Sequence, residues 1–187
     1  MSELDMPLEQ DYGVLERGAD TVTVRFTRQL AHPPSKVWRA LTEAEHLASW
    51  FPTTIEGNLG TPDAPLQFGF REVEMPPMDG RALEFDPPKL LAFVWGDETL
   101  RFELTAHESG TLLDFTATFA EIGKAARDGA GWHVCLDQLG LGLAARALPF
   151  KPDERWRLVH PQYVTRFGPE ASTEGPPQEW EETYGPA

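Results

Sequence analysis

Two neighbouring segments of this chain alternate apolar and polar residues so regularly that little but sheet can be built from them. In ETLRFELTA, Leu100, Phe102, Leu104 and Ala106 fall on one side and Arg101, Glu103 and Thr105 on the other. In TLLDFTATF, Leu113, Phe115, Ala117 and Phe119 oppose Asp114, Thr116 and Thr118. A period of two marks strands with one dry and one wet face, the pattern of an antiparallel sheet covered on one side. Such a face needs a cover. The segment DGAGWHVCLDQLGLGLAARAL supplies it: about 20 residues of helix span ~30 Å. Trp132, Cys135, Leu136, Leu139 and Leu143 make its apolar stripe, and Asp128 is placed to cap its start. Gly140 and Gly142 each cost roughly 1 kcal/mol relative to alanine inside a helix, which predicts a close approach to the sheet or a weak point.

The rest of the chain fits around this pair. Val22, Val24 and Phe26 alternate with Thr23, Arg25 and Thr27 in an earlier strand, which Pro33 and Pro34 end. Ser35 caps or begins a helix carrying Val37, Trp38 and Leu41, and a second short helix carries Leu47 and Trp50 and stops before Pro52. TTIEG, LQFGFRE and GRALEFDPPKLLAFVWG read as further strands or hairpins, separated by GTPDAP, MPPMDG, DPP and GDE. The fold class predicted is α+β, with residues 20–149 as the domain. Residues 1–19 form an extension ahead of it, and residues 150–187 form a Pro-, Gly- and Glu-rich extension that is partly disordered. Trp156, Leu158, Tyr163 and Phe167 give that tail a way to dock, as a short helix or an irregular appendage, with disorder expected beyond Glu170.

With 187 residues the chain fills one domain rather than two. A formal net charge of −14 disfavours phosphate backbones and anionic lipid surfaces, so neither a nucleic-acid nor a membrane partner is expected. No apolar run approaches the roughly 18 residues that span a bilayer, and the acidic N-terminus lacks a secretory leader, which makes the cytoplasm the expected location. The single cysteine, Cys135, excludes an intrachain disulfide and reads as a buried small hydrophobe. His32, His46, His107 and His160 are scattered without metal-site spacing, so no metal and no cofactor is expected. G-x-S-x-G, P-loop and dinucleotide signatures are missing.

Strand, two helices, a run of antiparallel strands and one long amphipathic helix, in that order, resemble the START-like, or SRPBCC, superfamily. Three segments are similar to its branch homologous to the activator of the heat-shock-protein-90 ATPase. They are RQLAHPPSKVWRALTEAEHLASWF, the FELTAHESGTLLDFT hairpin and GWHVCLDQL, and the resemblance runs from about Val22 to Leu148. It implies a helix-grip (START-like, Bet v 1-like) fold: a curved antiparallel sheet of about seven strands around the last helix, with a cavity between them. The branch carries no shared catalytic signature, so the catalytic residues stay unknown.

If that cavity exists, part of the aromatic set lines it. The candidate ligand-binding residues are Trp38, Trp50, Phe68, Phe70, Phe93, Trp95, Phe102, Phe115, Trp132, His133 and Leu136, and most of such a set is ordinary core. His133 and Asp137, four apart on one helix flank, form either an acid/base pair at the cavity edge or a solvated pair. Arg25, Arg71 and Arg101 lie on strands, and alternation puts Arg25 and Arg101 on the wet face. Three functions compete. First is binding of a small apolar or aromatic molecule. Second is an enzyme of cyclase, hydratase or hydrolase type on a ring-bearing substrate. Third is a co-chaperone-like interaction domain, placed last because only about 20 residues precede the first strand. Exposed edge strands are also compatible with a homodimer.

Overall fold

The structure, a computed structural model, describes residues 9–71, 75–108 and 110–176. Its strands are β1 (Val14–Arg17), β2 (Val22–Leu30), β3 (Glu56–Gly57), β4 (Pro65–Phe68), β5 (Met78–Asp86), β6 (Leu90–Trp95), β7 (Glu98–His107) and β8 (Gly110–Phe119). Helices α1 (Pro34–Thr42) and α2 (Ala44–Leu47) follow β2, and α3 (Ala125–Leu143) and α4 (Pro152–Phe167) follow β8. The strands form one antiparallel sheet in the order β1-β2-β8-β7-β6-β5-β4-β3, with α3 against its dry face: a helix-grip fold.

The sheet has one strand more than the expected seven. The additional strand is β1, in the stretch read as an extension; its mostly exposed VLER has no alternation to betray it. The predicted hairpin of β7 and β8 is in place, with Phe102 opposite Phe115 and Leu104 opposite Leu113. Ala106 is exposed, because β7 runs on past the edge of the core. Of the tail expected to be disordered beyond Glu170, Ala171 and Ser172 close a turn of 3₁₀ helix, and residues 177–187 lie outside the described residues, as do residues 1–8.

Helix α3 differs from expectation at both ends. It starts at Ala125, after a turn of 3₁₀ helix over Ile122–Lys124, so Asp128 lies inside the first turn and caps nothing. There its charge still complements the helix dipole. The helix stops at Leu143, whose carbonyl accepts from Lys36 Nζ at 2.8 Å. Trp132, Leu136, Leu139 and Leu143 are buried, while Cys135 is only half-buried at the edge of the stripe.

The tail is a sixteen-residue helix packed on α3. Its start was readable: Pro152 in the first turn, followed by Asp153 and Glu154, is a common N-terminal pattern. Pro161 inside the helix masks the periodicity that follows. Trp156, Val159, Tyr163 and Phe167 are buried, and the close crossing needs Gly129, where a Cβ would lie 3.2 Å from both Tyr163 and Phe167. The fully buried Tyr163 hydroxyl accepts the Gly13 amide at 2.9 Å and hydrogen-bonds His133 Nδ1 at 2.8 Å.

Removing that hydroxyl leaves a buried amide and a buried imidazole nitrogen unpaired. Tyr163→Phe is therefore expected to lower stability by about 1–3 kcal/mol in urea denaturation. An unchanged midpoint would mean that α4 is not part of the cooperative fold.

Candidate functional site

A cleft of about 590 Å³ opens between the N-terminal half of α3, the β6–β7 hairpin and the chain following α2. Its apolar walls include Trp50, Phe51, Phe70, Trp95, Trp132 and Trp156. The Trp132 ring stands 5.4 Å from that of Trp95, 5.9 Å from that of Phe51 and 5.1 Å from that of Phe115. Trp95 is fixed by a hydrogen bond from Nε1 to Thr53 Oγ1 at 3.1 Å. Arg71, in a bend after β4 rather than on a strand, donates to the carbonyls of Phe51 and of the same Thr53.

The polar groups of the cleft converge on Glu98, the first residue of β7, which is only 4% exposed. Its position follows from the pleat: Glu98 precedes Leu100, Phe102 and Leu104 on the inward side of the strand. Trp132 Nε1 donates to Glu98 Oε2 at 3.2 Å, and Lys124 Nζ lies 3.3 Å from Oε1. Lys124 also reaches Asp97 at 2.8 Å and Asp128 at 3.5 Å. Burial alone would lower the lysine pKa, but these three carboxylates raise it, so Lys124 stays charged.

The buried Glu98 and the half-buried Asp128 thus share the Lys124 ammonium, and Asp128 has Arg127 as a second cation. Burial first, and the Asp128 carboxylate second, raise the Glu98 pKa to about 7 against the pull of Lys124. Asp128 Oδ1 accepts from Arg127 Nε at 2.7 Å, whereas its buried Oδ2 has no hydrogen-bond partner. A bond between the two carboxyls exists only while one of them holds a proton. Near neutral pH the cleft therefore offers a carboxyl pair poised between one and two negative charges.

Of the residues expected to line a cavity, Trp50, Phe70, Trp95 and Trp132 meet in this cleft. Phe68, Phe93, Phe102 and Phe115 instead stack in a row across the sheet and are fully buried, and Trp38 packs on Phe85 at 5.2 Å. Leu136 lines a different cavity, on the other side of α3. His133 is in neither: it is sealed between Tyr12, Phe26 and Tyr163. Burial, with Arg28 and Arg155 adding to it, pushes its pKa down to about 2.

Both readings of His133 with Asp137 therefore need correcting. The pair is not solvated, and its imidazole cannot serve as an acid or base near neutral pH. Nε2 stands 3.6 Å from Asp137 Oδ2, which is instead held by Arg155 Nε and Nη2 at 2.9 and 2.8 Å. Although Cys135 is half-buried and borders the cleft, desolvation of its thiol and then the nearby Asp137 carboxylate push it up to about 12, so it is a thiol near neutral pH. Arg25 and Arg101 are on the wet face, paired with Glu16 and Asp114 and with Glu84 and Glu103. The one grouping of metal-ligand atoms among the described residues, Glu43, Glu45 and His46, is at the surface; Arg39 already binds Glu43 there at 2.8 and 3.0 Å.

The family model described as Activator of Hsp90 ATPase homolog 1-like protein matches residues 31–142, more than half of the chain. The chain belongs to this family. Solved structures agree with an Activator of Hsp90 ATPase homolog 1-like fold of the SRPBCC kind. A conserved protein of unknown function from Enterococcus faecalis superimposes with a TM-score of 0.66 at 22% identity, covering 82% of this chain and 89% of that one. CalU16 from Micromonospora echinospora gives 0.65 at 19% identity, covering 83% and 96%. The Aha1 dimer from Colwellia psychrerythraea gives 0.54 at 21%, covering 65% and 95%. A search of curated protein sequences gives no match. The family match ends at residue 142, so α4, whose Trp156 helps to wall the cleft, lies beyond it.

Sequence reasoning missed Glu98 although its signal was present: the alternation of β7, carried back two residues from Leu100, lands on it. Lys124 gave no such signal, because only the 3₁₀ turn brings it under the hairpin.

The raised Glu98 pKa has a definite linkage. The folded state holds the proton more tightly than the unfolded chain, so this stabilisation is complete below about 4.5 and is lost as pH rises towards about 7. Glu98→Gln is expected to flatten the decline in thermal stability across that window. An undiminished slope in the variant would assign the titration to another group.

Proposed function

We propose that the cleft binds a small aromatic molecule carrying a cationic or hydrogen-bond-donating group, with the ring against the Trp95 and Trp132 indoles and the polar group on Glu98 and Asp128. The observation that carries this reading is the pairing of Glu98 with Asp128 inside aromatic walls, where Asp128 Oδ2, 3.5 Å from Lys124, makes no hydrogen bond. A protonated amine on a ring brings a charged donor to this carboxyl pair. It also meets the buried Asp128 Oδ2 with a donor and gains from the indole faces. The wider expectation, an apolar or aromatic ligand, is thereby narrowed to one with a basic or donor group.

A catalytic version has its own support. A buried carboxyl titrating near 7 beside an open cleft can both give and take a proton at physiological pH, as general acid–base catalysis needs. In this version Glu98, beside Asp128, takes the role that His133 cannot fill.

Phenethylamine and phenethyl alcohol are suitable probes, followed by tryptophan fluorescence and native mass spectrometry. The amine is expected to bind more tightly as pH rises through about 7, and Glu98→Gln to weaken it about tenfold or more while removing that pH dependence. Equal affinity for amine and alcohol, or amine binding unaltered by Glu98→Gln, would defeat the proposal.

A further inference from the structure

The second cavity, of about 540 Å³, lies between β2, the C-terminal half of α3 and the start of α4, and shares no lining residue with the aromatic cleft. One wall is Arg28. It occupies the inward register of β2 after Val22, Val24 and Phe26, where a hydrophobic residue is the rule. Its side chain is only 9% exposed. Nη1 donates to the Thr27 carbonyl at 3.3 Å, but Nη2 is buried and makes no hydrogen bond. Asp137 Oδ1 is 4.0 Å from Nη2 and the other oxygen of Asp137 is engaged by Arg155, while the Asp11 carboxylate also acts on Arg28. A guanidinium cannot shed its charge, so a buried edge without an acceptor is a standing cost that a planar anion relieves.

Gly140 is the second observation. It lines the same cavity in the interior of α3, where glycine weakens the helix, yet a Cβ there would meet nothing within 4 Å. No close approach to the sheet requires it, which removes one of the two readings of this glycine and leaves the weak point. The effect of the glycine is to leave the cavity wall bare beside Arg28.

The remaining charges on the wall are Arg146 and Arg155 against Asp11, Asp137 and Glu154. With Arg28 included, the two signs balance, which disfavours a multiply charged anion. We propose that this cavity binds a small monocarboxylate with an apolar tail, its carboxylate on the Nη2 edge of Arg28 and its tail along Leu136, Leu141 and Phe150. The site is independent of the aromatic cleft and of the function proposed for it.

Hexanoate titrated at constant ionic strength, read by backbone amide shifts in NMR, tests this, with hexanol as the neutral control. Hexanoate is expected to saturate, with shifts centred on residues 136–141, and hexanol to bind about tenfold more weakly or worse. Gly140→Leu fills the cavity without touching a charge and is expected to abolish hexanoate binding while the fold is retained. Arg28→Met is expected to do the same, and should it fail to fold, Gly140→Leu carries the test. Glu98→Gln should leave hexanoate binding unchanged, which separates this site from the cleft. No saturable binding, equal affinity for hexanol, or full binding in Gly140→Leu would each overturn the proposal.

Discussion

Packing of α3 onto one face of the curved sheet is the interaction on which the rest of this molecule depends. Phe26, Phe115, Phe102, Phe93 and Phe68 form a continuous row beneath the helix, with neighbouring rings 4.6 to 6.2 Å apart. Each is fully buried, and burial of one such side chain contributes on the order of 2 kcal/mol. Trp132 joins the helix to this row through Phe115. A face this dry sets severe terms for any charge that enters it, since desolvation is offset only by specific partners.

Two charged residues do enter, both on inward strand positions and towards opposite ends of the sheet. Glu98 opens β7, while Arg28 is near the end of β2, level with Leu104 through their common neighbour Leu113. Each borders a cavity, and each is incompletely compensated: Glu98 competes with Asp128 for Lys124, and Arg28 shares Asp137 with Arg155. The helix grip thus leaves two openings of different chemistry, one aromatic and acidic, the other partly apolar with an arginine edge.

Helix α4 changes what α3 has to be. With the sheet on one side and α4 on another, α3 buries His133 and Ala130 as well as its leucine stripe. His133 is thereby kept neutral, held by Tyr163 rather than by Asp137. The same docking frees Asp137 to pair with Arg155 of α4 and so builds a wall of the second cavity.

A one-sided antiparallel sheet covered by a long helix was legible in the alternation of β7 and β8 and the apolar stripe of α3, and the family resemblance implied its helix-grip arrangement. Four aromatic residues of the cleft were legible as candidates for the same reason, and so in principle were Glu98 and Arg28, since each continues an inward register already visible in its strand. Which phenylalanines form closed core and which tryptophans face open space was decided only by the tertiary structure. Side-chain type sets what a residue avoids, whereas the gap it borders depends on how far helix and sheet close. The fate of His133 was settled in the same way: spacing placed it beside Asp137, but the hydrogen bond it makes comes from Tyr163, thirty residues on, which no local pattern encodes.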